Sequence, residues 1–134
     1  MLEFKNIILT EEDEDWLVYQ IDADLALFGM SCLEERATLS VHRDIDVKNC
    51  LPKLSDFIDS LEGFRDALED FYSGTYDVDI DGWYESLDIY GASFIVLSDM
   101  SIVAGFSALD GVNTEETLEI EIHGDKVISM EYVE

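Results

Sequence analysis

Oxygen-donor side chains concentrate in one short stretch, Asp77-Val78-Asp79-Ile80-Asp81-Gly82, with a further carboxylate, Asp88, twelfth from Asp77. A hard cation such as calcium takes several oxygen ligands, and carboxylates at positions 1, 3, 5 and 12 supply them. Glycine at position 6 permits the sharp turn that folds such a loop around the ion. Glu85 stands at position 9, where a direct or water-mediated ligand is usual, and Trp83 at position 7 offers its backbone carbonyl. The candidate metal ligands are therefore Asp77, Asp79, Asp81 and Asp88. A second reading fits the same residues. Asp-Val-Asp-Ile-Asp alternates, so Val78 and Ile80 can face a core while the three Asp face water ahead of a turn at Gly82.

Residues 77–88 resemble a calcium loop of the EF-hand type, and the resemblance covers these twelve residues alone. It departs from the pattern at position 12, which is Asp rather than the longer Glu, and at position 8, which is Tyr84. The preceding helical pattern ends near Gly74 and the following segment reads as a strand. A site here would be helix–loop–strand in form.

Other catalytic constellations find little support. The cysteines, Cys32 and Cys50, match no zinc or redox spacing and read as reduced thiols. A Cys50–His42 nucleophile pair would need close approach and a third, orienting group, which nothing in the spacing demands. His42 and His123 fall on or beside polar strand faces. Paired carboxylates are too numerous to single out two, and no glycine-rich phosphate loop is present. The sequence reads as a non-enzymatic protein with no cofactor unless calcium fills the 77–88 loop.

Charge is the broadest signal. The chain has 134 residues, with 32 Asp+Glu against 7 Lys+Arg, for a formal net charge of −25. Hydrophobic residues make up 48%, which excludes a disordered acidic tail and predicts one domain, 1–134, with a real core. So acidic a surface argues against nucleic acid or an anionic membrane, because both need Lys and Arg to neutralise phosphate. It favours a basic protein partner, since a field of this size speeds association with one. The acids expected on the outer face of a central helix are Asp56, Asp59, Asp66, Glu69 and Asp70. Trp16, Trp83 and Tyr84 lie beside acid runs and read either as exposed anchors or as core residues at strand ends.

Three blocks of elements must position these groups. Alternation predicts strands over 2–9, 16–21 and 37–45, with 11–15 as an exposed loop and 25–30 as a further strand candidate. From Val47 to Phe71, apolar residues recur every three or four positions, predicting one long or broken helix over about 49–72. Asn49 is the expected N-cap, Gly63 a kink and Gly74 the stop. Period two returns for strands over 85–90, 94–97, 102–106, 115–122 and 126–133. His123-Gly124-Asp125 gives a hairpin turn between the last two. Strands, then helix, then strands predict an α+β fold, with a mostly antiparallel sheet, open or curled, packed against that helix.

The apolar runs are too short to span a bilayer, and Met1–Asn6 has no basic segment leading into an apolar one. The expectation is a cytoplasmic protein. A small, strongly acidic α+β chain ending in a β-hairpin at 118–133 resembles the immunity proteins of bacterial polymorphic and contact-dependent toxin systems. The resemblance is one of overall character, and no residue motif carries it. It implies a cognate toxin, bound tightly and inhibited by steric occlusion.

Overall fold

A computed structural model describes residues 2–28, 30–32, 37–76 and 81–134. The chain is α+β. Its principal sheet has seven strands: β1 (Ile7–Glu12), β2 (Trp16–Ile21), β5 (Ala37–His42), β6 (Asp88–Val96), β7 (Ile102–Leu109), β8 (Thr117–His123) and β9 (Lys126–Val133), in that spatial order. The sheet is not closed, so β1 and β9 are its edges. Among the described strands, only the β5–β6 pair is parallel. That is the one join that needs a crossover rather than a hairpin, and the helices supply it.

The crossover is the predicted broken helix: α1 (Val47–Ser60), a 3-10 turn (Leu61–Phe64) and α2 (Arg65–Tyr76). It starts earlier than expected. Asp46, not Asn49, is the N-cap, and its side chain accepts from the Lys48 N–H at 3.0 Å. Pro52 therefore sits inside α1 rather than in its first turn. Gly63 falls in the 3-10 turn, as the expected kink requires, but Gly74 does not stop α2. The tighter turn also rephases the apolar stripe. Leu61, Phe64, Leu68 and Tyr72 carry it inward, and Phe71 is left half-buried.

The stripe covers one face of the sheet. That face presents Leu39 and Val41 from β5, Phe94 and Val96 from β6, Phe106 from β7, and Leu118, Ile120 and Ile122 from β8, all buried. Phe57 meets Phe94 edge-on at 6.2 Å, and Phe94 meets Phe106 at 5.9 Å. Burying each such side chain stabilises the fold by about 1.5–3 kcal/mol. The 25–30 candidate is not a strand of this sheet. β3 (Leu25–Leu27) and β4 (Met30–Cys32) form a separate hairpin, whose turn residue Phe28 is buried against Phe106 at 4.9 Å. None of the described helices covers the opposite sheet face, which carries small residues, among them Thr38, Ser93, Gly105 and Ser107.

Two other expectations change. Glu11 and Glu12 belong to β1, and only 13–15 form the turn, where the Asp13 carboxylate accepts from the N–H groups of Asp15 and Trp16, both at 2.8 Å. The strand expected over 85–90 is preceded by a single helical turn, α3 (Trp83–Ser86). It starts at Asp88 and runs unbroken through the segment expected as a separate strand. The hairpin turn forms as predicted, with Gly124 at φ 61°, where a Cβ would be strained. Among the described residues no helix is long and apolar enough to cross a membrane.

Candidate partner-binding surface

The outer side of α1 and α2 faces away from the sheet, because the apolar stripe fixes which side turns inward. Asp56, Asp59, Asp66 and Asp70 all project there and are exposed. None of the four has an ion-pair partner among the described residues. Glu69 differs. It is half-buried, and Arg65, four residues earlier, pairs with it at 3.3 Å. Arg65 also bonds the Glu85 carboxylate and lies 4.9 Å from the Tyr84 ring centroid. The bond to Glu85, more than any other contact, raises the Arg65 pKa. Glu85 is held below the usual carboxylate range by its own backbone N–H and by Arg65.

The aromatic anchors move inward. Trp83 is only 2% exposed, so it is a core residue and not a surface anchor. Its ring stacks on Tyr72 with centroids 4.2 Å apart. Tyr84 is half-buried and gives its hydroxyl to the Phe28 carbonyl at 2.9 Å, so it braces the β3–β4 hairpin rather than standing free. Trp16 is half-buried beside His42, with centroids 5.4 Å apart.

What replaces them as apolar contact area is two shallow depressions flanking the turn between β8 and β9. One, of 420 Å³, is lined by Lys53, Asp56, Phe57, Ser101, Ile102 and Gly124. The other, of 490 Å³, is lined by Ala67, Asp70, Phe71, Asp125, Lys126 and Val127. Small residues open them: Gly124 at the turn and Ala67 on α2. Asp56 and Asp70 thus each stand beside apolar surface. Asp59 borders a smaller, 170 Å³ depression with Leu2 and Ala23.

The metal candidates are partly described. Asp77 and Asp79 lie outside the described residues. Asp81 and Asp88 are exposed, and Asp88 opens β6. Gly82 has φ 79°, as a sharp turn at position 6 requires. Glu85, the position 9 candidate, is engaged by Arg65. Among the described residues no three His, Cys, Asp or Glu side chains are grouped to hold a metal. The Cys50–His42 pair is not assembled: the buried Cys50 thiol donates to the Asp46 carbonyl at 3.5 Å, whereas His42 lies against Trp16 and Asp44.

Sequence reasoning missed one constellation. Asp110, 5% exposed, accepts from Trp83 Nε1 at 2.9 Å and from the Tyr132 hydroxyl at 2.6 Å through one oxygen. Its other oxygen takes the N–H groups of Val112 and Asn113, at 3.0 and 2.9 Å. The Tyr132 proton is committed to the carboxylate, so Tyr72 is the donor in their 2.6 Å contact. Tyr76 bonds the Met130 carbonyl at 3.1 Å. Burial pushes the pKa of Tyr132, Tyr72 and Tyr76 upward, and for Tyr132 the hydrogen bond to Asp110 adds to it. Asp110-Gly111-Val112-Asn113 carries an Asx-turn signature that could have flagged the carboxylate, but nothing local pointed to Trp83 or Tyr132 as its partners. The chain matches no protein-family model, no curated protein and no solved structure.

Proposed function

We propose that this chain is a non-enzymatic acidic binding protein that neutralises a basic protein partner, acting as an immunity protein does against a toxin. One observation carries the reading: Asp56, Asp59, Asp66 and Asp70 stand exposed on the outer side of α1 and α2, without ion-pair partners among the described residues. Unpaired charge of one sign repels itself and lowers the stability of the fold, so a use for it outside the molecule is the economical explanation. The two depressions supply what charge alone lacks, apolar surface to exclude water beside the ion pairs.

The test is protection. Basic bacterial toxin domains are co-expressed one by one with this chain, and survival is scored. Wild type rescues growth against one of them, and the variant with Asp56, Asp59, Asp66 and Asp70 all changed to Lys does not. With that toxin, the association rate of wild type falls about tenfold or more as salt rises, and the variant has lost most of this dependence. Equal rescue by the variant sinks the proposal. A second reading, calcium binding by the 77–88 loop, has the positive φ of Gly82 for it and the engagement of Glu85 by Arg65 against it.

A further inference from the structure

We infer that the partner docks an amphipathic basic helix along α1 and α2, with one apolar side chain in each of the two depressions beside the β8–β9 turn. This rests on the basic-partner reading and adds where and by what chemistry the contact is made.

The floors are apolar and the rims are charged. Phe57 and Ile102 floor the first depression, and Phe71 and Val127 floor the second. Asp56 rims one, and Asp70 and Asp125 rim the other, with the exposed Asp66 between them along the helix path. Lys53 and Lys126 also stand at the rims. The hydroxyl and N–H of Ser101 hold the Asp99 carboxyl low, and Lys53 adds a smaller contribution, so the Lys53 charge is partly answered within the chain. The balance still favours a cationic occupant. A second copy of this chain, itself at −25, would be repelled, and a nucleic acid or anionic membrane carries the wrong sign.

Spacing sets the shape of the occupant. Phe57 and Phe71 are fourteen residues apart across α1, the 3-10 turn and α2. Rises of 1.5 Å per α-helical and 2.0 Å per 3-10 residue put them at most about 23 Å apart. On a straight partner helix that distance is about four turns, so anchors at i and i+14 fall on one face and match it. The two depressions are walled by side chains of two helices and a turn, which suits a helix laid across both.

The probes are two synthetic helical peptides of roughly eighteen residues, long enough to span the anchors. Both are rich in Lys and Ala; one carries Leu at i and i+14, the other Ser at the same sites. Binding is followed by amide shifts of the folded protein at physiological salt. The Leu peptide should bind about tenfold or more tightly than the Ser peptide. Its shifts should centre on Phe57, Ala67, Phe71 and Gly124. Ala67→Phe, at an exposed helix position, fills the second depression without changing charge and should cut that preference to about threefold, leaving only the first depression to read Leu. Equal binding of the two peptides overturns the cleft and leaves the basic-partner reading standing. Shifts confined to the open sheet face do the same. Failure of both peptides to bind overturns both.

Discussion

The Asp110 cluster and the acidic ridge of α1 and α2 treat charge in opposite ways. Around Asp110 the carboxylate is buried and answered by four donors from three parts of the chain. Along the ridge, Asp56, Asp59, Asp66 and Asp70 are exposed and answered by no ion pair within the described residues. A buried ion without donors would cost several kcal/mol, so the first arrangement is required for folding. Exposed charges are solvated by water and contribute little to stability. What separates the two regions is that the fold depends on one and tolerates the other.

Deleting the carboxylates should expose that difference most directly. Asp110→Ala strands the Trp83 and Tyr132 donors and two backbone N–H groups, and should lower unfolding free energy by about 3–5 kcal/mol. Asp110→Asn keeps an acceptor for the backbone but turns an amide N–H₂ toward Trp83 or Tyr132, and should fall between. Asp66→Ala and Asp70→Ala should each stay within about 0.5 kcal/mol of wild type. Urea titration followed by the fluorescence of buried Trp83 measures all four. A ridge variant as costly as Asp110→Ala would break the comparison.

The cluster should also set the alkaline limit. Tyr19, Tyr72, Tyr76, Tyr84 and Tyr132 all have pKa values raised above 10.0, with burial the first cause in each. Below pH 10 both folded and unfolded chains keep these protons, and the stability is fully present. Above it the unfolded chain releases protons that the folded chain retains. Stability then falls with pH, by about 1.4 kcal/mol per unit for each tyrosine still protonated in the fold. Phenolate absorbance should therefore rise together with loss of Trp83 fluorescence, in one cooperative step. Phenolate appearing well before unfolding would show the cluster to be looser than its hydrogen bonds imply.

The ridge should respond in the other direction. Asp66→Lys and Asp70→Lys together relieve like-charge repulsion, so stability should hold or rise by about 0.5 kcal/mol or less, and more at low salt than at high. A Tm series across ionic strength checks this. A fall in stability would mean that the ridge acids have structural partners.

The same contrast explains what could be read from sequence. The ridge was legible because a 3.6-residue period sorts Leu54, Ile58 and Leu68 from Asp56, Asp59 and Asp66 with no tertiary information. Strand alternation did the same for β5 and β8. The cluster was illegible because its bonds between side chains join residues 22 to 60 positions apart, and no local period records them. Trp83 and Tyr84 looked like anchors because acids flank them, yet one helical turn between a left-handed Gly82 and β6 rotates them into the core. Glu69 lay on the predicted acidic face, but it is half-buried and paired with Arg65. The parallel β5–β6 join was hidden as well, since alternation says nothing about strand direction.

The smallest effect concerns the 77–88 loop, which belongs to neither region and so sharpens the boundary between them. If its acids behave like the ridge, cations act on them only by screening. Calcium and magnesium at matched ionic strength should then raise Tm equally, without saturating at low concentration. Geometry favours this outcome. Glu85 is bound to Arg65, and Asp88 enters β6 at once, where strand pairing with Leu109 fixes its backbone. An Asp at position 12 also has a shorter arm than the Glu that normally grips calcium through both oxygens. Two variants make the comparison decisive. Asp79→Ala removes one acid from the loop, and Asp66→Ala removes one from the ridge; both should change the response to each cation by the same small amount. A saturable, calcium-selective rise lost in Asp79→Ala alone would instead put the loop with Asp110, as a place where the chain gathers carboxylates around a specific charge, and the calcium reading would then come first.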